Sequence, residues 1–240
     1  IVLDDADLDL ALEGVLWGAF GTTGQRCTAT SRLIVQGGVH DRLVGMLVDR
    51  VRELRLGDGR QPGTDVGPLI HEESVRKVER YVQIGEDEGA QLAIGGKRAT
   101  SGALAKGTFF EPTIFTHVRP GSRLEQEEIF GPVLSVIRVD NADEAFAVNN
   151  DVKYGLSSSL YTRNVELAFR AMSELDNGIT YVNAPTIGAE AHLPFGGVKQ
   201  TGNGHREGGW EVYEFYSETK VCYVDYSGAL QRAQIDTYGD

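Results

Sequence analysis

The amino-acid sequence predicts an α/β fold built on a largely parallel, doubly wound sheet. Short apolar runs rich in β-branched residues alternate with longer segments whose apolar residues recur every three or four positions. With 240 residues and a hydrophobic fraction of 41%, the chain is long enough and apolar enough to bury a substantial core. Alternation of strands with helices along a chain is typical of parallel sheets.

The first part of the chain carries two strands and three helices. Ile1-Val2-Leu3 looks like the end of a strand, and Asp7 is suited to cap the helix that follows it. A glycine-rich loop over 57–63 interrupts the alternation. The expected elements are, in order, a helix over 8–20, a strand over 32–36, a helix over 40–54, a helix over 72–88 and a strand over 91–94.

The second part repeats the alternation and ends differently. Pro132 introduces an apolar run, and Asn141 and Asn164 are suited to cap helices. Residues 220–226 alternate between apolar and polar, which predicts a half-exposed strand. The expected elements are an extended segment over 109–115, strands over 133–139, 156–161 and 179–182, and helices over 141–150 and 164–175.

Composition excludes several classes of protein. A formal net charge of −12 disfavours binding to nucleic acid or to an anionic membrane. No apolar run approaches the roughly 18 residues that a membrane span needs. Two cysteines, Cys27 and Cys222, are too few for a disulfide framework, so a reducing cytoplasm is the expected location.

Cys27 has the surroundings of a reactive thiol. It follows the segment Phe20-Gly21-Thr22-Thr23-Gly24-Gln25-Arg26, in which Gly24 permits a close backbone approach. Exposed amide donors and the Arg26 cation favour the thiolate form of a neighbouring cysteine. A thiolate attacks carbonyl carbons, so we expect Cys27 to be a catalytic nucleophile. The alternative is a buried, inert cysteine.

Glu128 and Phe130 form a second candidate site. They lie two residues apart, immediately before the strand predicted after Pro132, so their side chains are expected to point the same way. We interpret Glu128 as an acceptor for a ribose diol and Phe130 as a ring that packs beside a cofactor head group. The alternative is a solvated acidic residue beside an ordinary core phenylalanine.

Other chemistries find less support in the sequence. The five histidines are scattered without metal-ligand spacing, so no metal site is expected. The glycine-rich segments 194–199 and 202–207 do not spell the Gly-x-Gly-x-x-Gly fingerprint of a phosphate-binding loop. A thiol hydrolase or esterase, with His192 or His205 as the base for Cys27, stays open because the sequence does not show which side chains are neighbours.

Three motifs, in this order and at these separations, resemble the NAD(P)-dependent aldehyde dehydrogenase superfamily in its C-terminal, catalytic-domain portion. They are 20–27, 128–132 and 194–197, and the resemblance covers essentially the whole chain. Four further segments, 24–28, 155–159, 185–190 and 226–227, resemble the antiquitin-like branch, which oxidises α-aminoadipic semialdehyde. The segment Leu193-Pro194-Phe195 is closer to general aldehyde and ketoglutaric semialdehyde dehydrogenases.

The resemblance implies a role for each motif. Cys27 would attack an aldehyde, a hydride would pass to NAD or NADP, and hydrolysis of the resulting thioester would release a carboxylic acid. Glu128 would bind the nicotinamide ribose, and Phe130 would pack near the nicotinamide. Backbone amides of the loop at 188–189 would meet a distal carboxylate on the substrate. The residues expected at the substrate end of the pocket are Thr28, Gly188, Ala189 and Phe195.

The resemblance also implies parts that stand before Ile1 in family members. These are a dinucleotide-binding domain, an oxyanion-holding Asn and a general-base Glu within a Glu-Leu-Gly-Gly stretch, and this chain contains none of them. We expect 1–215 to form the catalytic α/β domain and 216–240 a C-terminal arm with an oligomerisation strand, in a homodimer or homotetramer. Alone, the chain would be inactive. The alternative from another class is a non-catalytic scaffold or assembly fragment of the same fold.

Overall fold

A four-stranded sheet lies at the centre of this computed structural model, which describes residues 1–230. Its strands are β1 (Arg32–Gln36), β2 (Gln91–Ile94), β3 (Thr113–Thr116) and β4 (Val133–Val139), and their spatial order is β1-β4-β3-β2. The pairs β1–β4 and β3–β4 are parallel, and β2 runs antiparallel to β3 at the edge. The prediction of an α/β fold with a largely parallel sheet is therefore confirmed.

Residues 1–3 connect this sheet to two further strands. Val2 forms parallel bridges with Val35 of β1 and with Tyr161. Tyr161 directly follows β6 (Ser157–Leu160), and β6 pairs in parallel with β7 (Ile179–Val182). The order across the molecule is thus β7, β6, residues 1–3, β1, β4, β3 and β2. Separately, β5 (Tyr154–Gly155) and β8 (Val198–Lys199) form a short antiparallel pair.

Seven α-helices accompany the strands within residues 1–230, and three of them begin at side-chain caps that the sequence predicts. Asp7, Asn141 and Asn164 each accept hydrogen bonds from backbone amides in the first turn of the helix that follows. The helices are α1 (Leu8–Phe20), α2 (Gly37–Glu53), α3 (Glu72–Asp87), α4 (Arg123–Gln126), α5 (Ala142–Asn150), α6 (Val165–Glu174) and α7 (Glu211–Phe215).

The core lies on both faces of the sheet because neighbouring residues of a strand point to opposite sides. In β1, Leu33 and Val35 belong to one apolar cluster, which includes α1 and α2, whereas Ile34 belongs to a second cluster with α3 and α5. Full burial of a side chain of this size contributes about 1.5–3 kcal/mol. Helices on both faces are what a doubly wound sheet requires.

Within residues 1–230, five short elements were not predicted from the sequence. They are α4, α7, a 3-10 helix over Gly102–Lys106 and the two-residue strands β5 and β8. Each has five residues or fewer, which is too short to show an apolar periodicity. In the described part of the chain, every helix is too short or too polar to cross a lipid bilayer.

The structure differs from the sequence prediction over 220–226, where it contains no strand and where every residue is exposed. A strand is stable only when its backbone pairs with another edge, and no residue among 1–230 pairs with this segment. Its role as an oligomerisation strand therefore stays a prediction. Residues 231–240 of the expected arm lie outside the described residues.

Candidate functional site

Cys27 lies in the loop that joins α1 to β1, and its side chain is exposed. The side-chain amide of Gln25 fixes this loop: its Oε1 accepts from the Ile70 amide at 2.8 Å, and its Nε2 donates to the Pro68 carbonyl at 3.2 Å. The backbone N–H of Cys27 donates to no group among residues 1–230. This loop therefore presents an accessible thiol and an unused amide donor at the same residue, so Cys27 is not buried as the alternative required.

Glu128 and Phe130 line the same cavity. Both are exposed, with Phe130 42% exposed, whereas Ile129 between them is buried at 5%. Phe130 has a φ of 58°, a left-handed conformation that an L-residue adopts only when its surroundings impose it. The Glu128 carbonyl accepts a hydrogen bond from Nζ of Lys77 at 2.9 Å, which fixes the backbone at this point.

The Cys27 loop packs directly on this second segment. Gly24, with a φ of 66°, approaches the Gly131 carbonyl so closely that a Cβ at Gly24 would lie 2.0 Å from its oxygen. The contact brings Cys27, Glu128 and Phe130 to the lining of one cavity of about 280 Å³. The sequence predicts that these three residues share one site, and the structure brings them together.

A second cavity, of about 550 Å³, also opens onto Cys27. Phe195 lines it, held by a backbone hydrogen bond that the Glu207 amide donates to the Phe195 carbonyl at 2.8 Å. His205 lines it too, and its ring packs edge-on against Phe215 with centroids 5.5 Å apart. Cys27 therefore stands where two cavities meet, with Glu128 and Phe130 on one side and Phe195 on the other.

Thr28, Gly188 and Ala189 line neither cavity. Thr28 is buried, and its carbonyl accepts a hydrogen bond from the Thr186 hydroxyl at 2.7 Å. Gly188 and Ala189 are exposed, and Gly188 has a φ of 125° with no atom placed to meet a Cβ within 4 Å. The hydroxyl of Thr186 thus links the Cys27 loop to the loop at 188–189, but the structure does not place that loop on the Cys27 cavities.

Glu125, Glu127 and Glu128 line the first cavity, and the carboxylates of the first two already have partners within the protein. Glu125 pairs with Arg32, and Glu127 pairs with Arg123 at 3.0 Å and accepts from the Tyr81 hydroxyl at 2.8 Å. The hydrogen bond from Arg123, followed by that from Tyr81, lowers the pKa of Glu127 below its ordinary value. These two carboxylates are committed to contacts within the protein.

The Glu128 carboxylate has no hydrogen-bond or ion-pair partner among residues 1–230. An exposed carboxylate with free lone pairs accepts hydrogen bonds from vicinal hydroxyls, and the exposed Phe130 ring offers a flat apolar surface next to it. The free carboxylate acceptor and the exposed ring at this cavity therefore fit a ribose and the ring attached to it. No three His, Cys, Asp or Glu side chains of the described part cluster as metal ligands.

Sequence reasoning missed part of the wall shared by the two cavities. Leu156, Gln200 and Thr201 line both. They come from two distant segments, and only the fold shows that β5 and β8 pair and bring these segments together. His205 borders the same cavity as Cys27 whereas His192 borders neither, and no hydrogen bond among residues 1–230 joins the His205 ring to Cys27.

The sequence of this chain is similar to those of known proteins. Residues 1–222 match the family model described as "Aldehyde dehydrogenase family". The alpha-ketoglutaric semialdehyde dehydrogenase of Bacillus subtilis (strain 168) is 40% identical over 93% of this chain and 46% of its own length. The aldehyde dehydrogenase family 7 member B4 of Arabidopsis thaliana is 40% identical over 100% of this chain and 46% of its own length.

The fold is shared with solved structures at the same level of similarity. The crystal structure of betaine aldehyde dehydrogenase from Staphylococcus aureus, in complex with NAD+, superimposes with a TM-score of 0.87 at 38% identity. The match covers 90% of this chain and 42% of that one. The chain thus spans about half the length of the relatives it matches.

Proposed function

Because this chain belongs to the aldehyde dehydrogenase family, we propose that it is the catalytic portion of an NAD(P)-dependent enzyme that oxidises an aldehyde to a carboxylic acid. One observation carries the proposal: the exposed thiol of Cys27 stands between a cavity lined by Glu128 and Phe130 and a cavity lined by Phe195. A nucleophile between two cavities can meet an aldehyde from one side and a cofactor from the other.

Cys27 starts the reaction. Its thiolate attacks the aldehyde carbon, a carbon–sulfur bond forms, and the carbonyl electron pair moves onto oxygen to give a thiohemiacetal. The Cys27 amide, which has no other acceptor among residues 1–230, donates to that oxyanion. A backbone donor fixed in this position stabilises the charge as it develops.

Glu128 and Phe130 would hold the cofactor on the other side of Cys27. The Glu128 carboxylate would accept hydrogen bonds from the ribose hydroxyls, and the Phe130 ring would pack against the nicotinamide. When bound there, NAD or NADP would supply an acceptor for the hydride that leaves the thiohemiacetal carbon. Cys27 then carries a thioester, which water hydrolyses to the carboxylic acid as the thiolate leaves.

Hydrolysis of the thioester needs a base to take a proton from water. We assign that base to the segment that precedes these residues in family members, together with the dinucleotide-binding domain. Without that segment, NAD binding should be weak, and any thioester that forms should persist because no base activates the water. Strong NAD binding and steady NADH production by this chain alone would contradict that assignment.

The substrate is proposed to be an aldehyde that can carry a distal carboxylate. The resemblance of segments 155–159 and 185–190 to the antiquitin-like branch supports this, with backbone amides at Gly188 and Ala189 as the anion contact. Phe195, which lines the second cavity, would complete the substrate end, whereas Thr28 is buried behind the Cys27 loop and would act only through its contact with Thr186. Relatives with this level of identity include the ketoglutaric semialdehyde dehydrogenase described above, whose named substrate carries such a group.

For the whole protein we propose a homodimer or homotetramer in the cytoplasm. Residues 1–215 would form the catalytic domain, and 216–240 an arm that pairs with another subunit. Support comes from the exposed aromatic residues of the arm, with Tyr223 96% and Tyr226 95% exposed. Both described cysteines are free, which fits a reducing compartment.

The decisive experiment measures NADH absorbance with the full-length protein, an aldehyde and NAD. Cys27→Ala should abolish NADH production, whereas the matched variant Cys222→Ala should keep it, because Cys222 lines neither cavity. Ester hydrolysis by the wild-type protein without any NADH production would favour the thiol hydrolase instead. Equally slow iodoacetamide labelling of both cysteines, with no turnover, would favour the scaffold.

A further inference from the structure

The ion pair between Arg32 and Glu125 joins the two segments that carry the candidate site. Arg32 is the first residue of β1, five positions after Cys27, and Glu125 lies in α4, three positions before Glu128. The Arg32 Nη1 donates to the Glu125 Oε1 across 93 positions of the chain. One contact thus connects the strand that follows the nucleophile with the helix that precedes the free carboxylate.

The pair is buried, and both side chains make further hydrogen bonds within the protein. The Glu125 side chain is 1% exposed and that of Arg32 15% exposed. Arg32 also donates to the last carbonyls of α5, to Val148 at 3.2 Å and to Asn149 at 2.9 Å. The other oxygen of Glu125 accepts from the Gly121 amide at 3.1 Å.

Buried charges with all their partners in place hold a single geometry, because any displacement leaves a charge without a partner in a poorly solvated place. Surface ion pairs elsewhere on this molecule, such as Arg55–Asp65, can break and reform in water. The Arg32–Glu125 pair differs from them in this respect and is suited to fix α4 relative to β1.

Two hydrogen bonds from Ser135, one from its backbone and one from its side chain, also connect these two segments. Ser135 of β4 donates its amide to the Ser31 carbonyl at 2.9 Å, next to Arg32. The Ser135 hydroxyl donates to the Leu124 carbonyl at 3.3 Å, next to Glu125. The start of β1 and the helix α4 are therefore joined both by the ion pair and through Ser135.

We propose that Arg32 and Glu125 are positioning residues that set the place of the Glu128 carboxylate relative to Cys27. The inference rests on the proposed function. Both residues line the first cavity without offering a free charge to a ligand, since each neutralises the other. Their effect on the reaction is indirect: they fix the backbone from which Glu128 reaches a bound ribose, while the Cys27 loop has its own anchor at Gln25.

The test uses the full-length protein with Arg32→Lys and with the neutral pair Arg32→Met/Glu125→Gln, which removes both charges and so avoids an unpaired buried carboxylate. Calorimetry gives the dissociation constant of NAD, and hydrolysis of p-nitrophenyl acetate without cofactor reports on Cys27 alone. We expect NAD binding to weaken about tenfold in both variants, with ester hydrolysis changed less than about twofold. The matched control Arg55→Lys, at an exposed pair away from both cavities, should change neither.

The outcomes separate this inference from the proposed function. A wild-type protein that produces NADH, together with a folded double variant that binds NAD as tightly as wild type, would overturn the positioning role alone. Equal losses in NAD binding and ester hydrolysis would also overturn it, because general damage to the fold moves both. A wild-type protein that produces no NADH would instead refute the proposed function. If Arg32→Lys fails to fold, the double variant decides.

Discussion

The α-carbon of Gly24 lies against the carbonyl oxygen of Gly131, and no other residue type fits at position 24. A Cβ there would lie 2.0 Å from that oxygen, and the φ of 66° is one that other residues adopt at a cost. The contact joins the loop of the nucleophile to the segment of Glu128 and Phe130. Two segments more than a hundred positions apart are thereby fixed at van der Waals distance.

Gly24→Ala should therefore lower the free energy of unfolding by about 2 kcal/mol, since it combines backbone strain with a collision against a fixed carbonyl. It should also slow ester hydrolysis at Cys27. Urea unfolding and the cofactor-free esterase assay measure the two effects. Gly45→Ala is the control: Gly45 lies inside α2 with open space around it, and alanine there should stabilise by about 0.5–1 kcal/mol. A Gly24→Ala protein as stable as wild type would contradict the reported contact.

Glu128→Gln should weaken NAD binding about tenfold, because a charged acceptor of the ribose hydroxyls becomes a neutral one. The matched variant Glu127→Gln alters the neighbouring carboxylate, which is already paired with Arg123, and should leave the dissociation constant of NAD unchanged. Calorimetric titration with NAD distinguishes the two residues. If Glu127→Gln had the larger effect, the assignment of the ribose contact would be wrong.

Stability should depend on pH through Glu127. Its folded pKa is lowered by Arg123 and Tyr81 from an ordinary value of 4.5, so its ion pair stabilises the protein fully above that value and is lost as the pH falls through the folded pKa. The wild type should thus be more stable than Glu127→Gln near neutral pH, and the difference should shrink below pH 4.5. Thermal unfolding of both proteins between neutral and acid pH measures it. A difference that stays constant down to the acid limit would exclude this ion pair as its cause.

Removal of residues 216–240 should reduce the oligomeric state of the full-length protein. The arm exposes aromatic side chains and pairs with nothing among residues 1–230, so we expect another subunit to cover it. Light scattering coupled to size-exclusion chromatography gives the mass. Cys222→Ala, a small change within the arm, should leave the mass as it is. An assembly that survives the deletion would refute the proposed role of the arm.

Gly188→Val should reduce turnover of carboxylated aldehydes more than turnover of plain ones. The φ of 125° at Gly188 is not accessible to valine, so the backbone amides of this loop would move. Gly89→Val, at a φ of 83° with equally open surroundings just after α3, is the control for strain alone. Steady-state kinetics with a semialdehyde and an uncharged aldehyde of similar length gives the ratio. Equal losses for both substrates would remove the anion contact from this loop.

The sequence predicted those parts of the molecule in which local pattern and tertiary environment agree. The bounds of α1, β1 and β4 follow from Asp7, from the apolar runs and from Pro132, because these segments are buried where their patterns say they are. The meeting of Cys27 with Glu128 and Phe130 was anticipated from motifs. The pairing of β5 with β8, which brings Leu156 and Gln200 to the wall of the same cavities, was not anticipated.

Long-range contacts explain what the sequence did not show. Nothing in the chain near Arg32 identifies Glu125 as its partner, and nothing near Leu156 indicates that Gln200 shares its cavity. Conversely, the alternating pattern over 220–226 predicts a strand that the single chain does not form. A pattern specifies which face a strand would bury, but it does not supply the edge that the strand pairs with.

Val2 lies between β1 and Tyr161 and forms a bridge with each side, which limits how far the N-terminus can be truncated. Fragments that start after Leu3 would leave the neighbouring backbones on both sides without the hydrogen bonds that residues 1–3 now provide. Unsatisfied strand edges recruit other molecules and aggregate. Expression boundaries that keep residues 1–3 should therefore give a product that aggregates less than one that starts at the first helix.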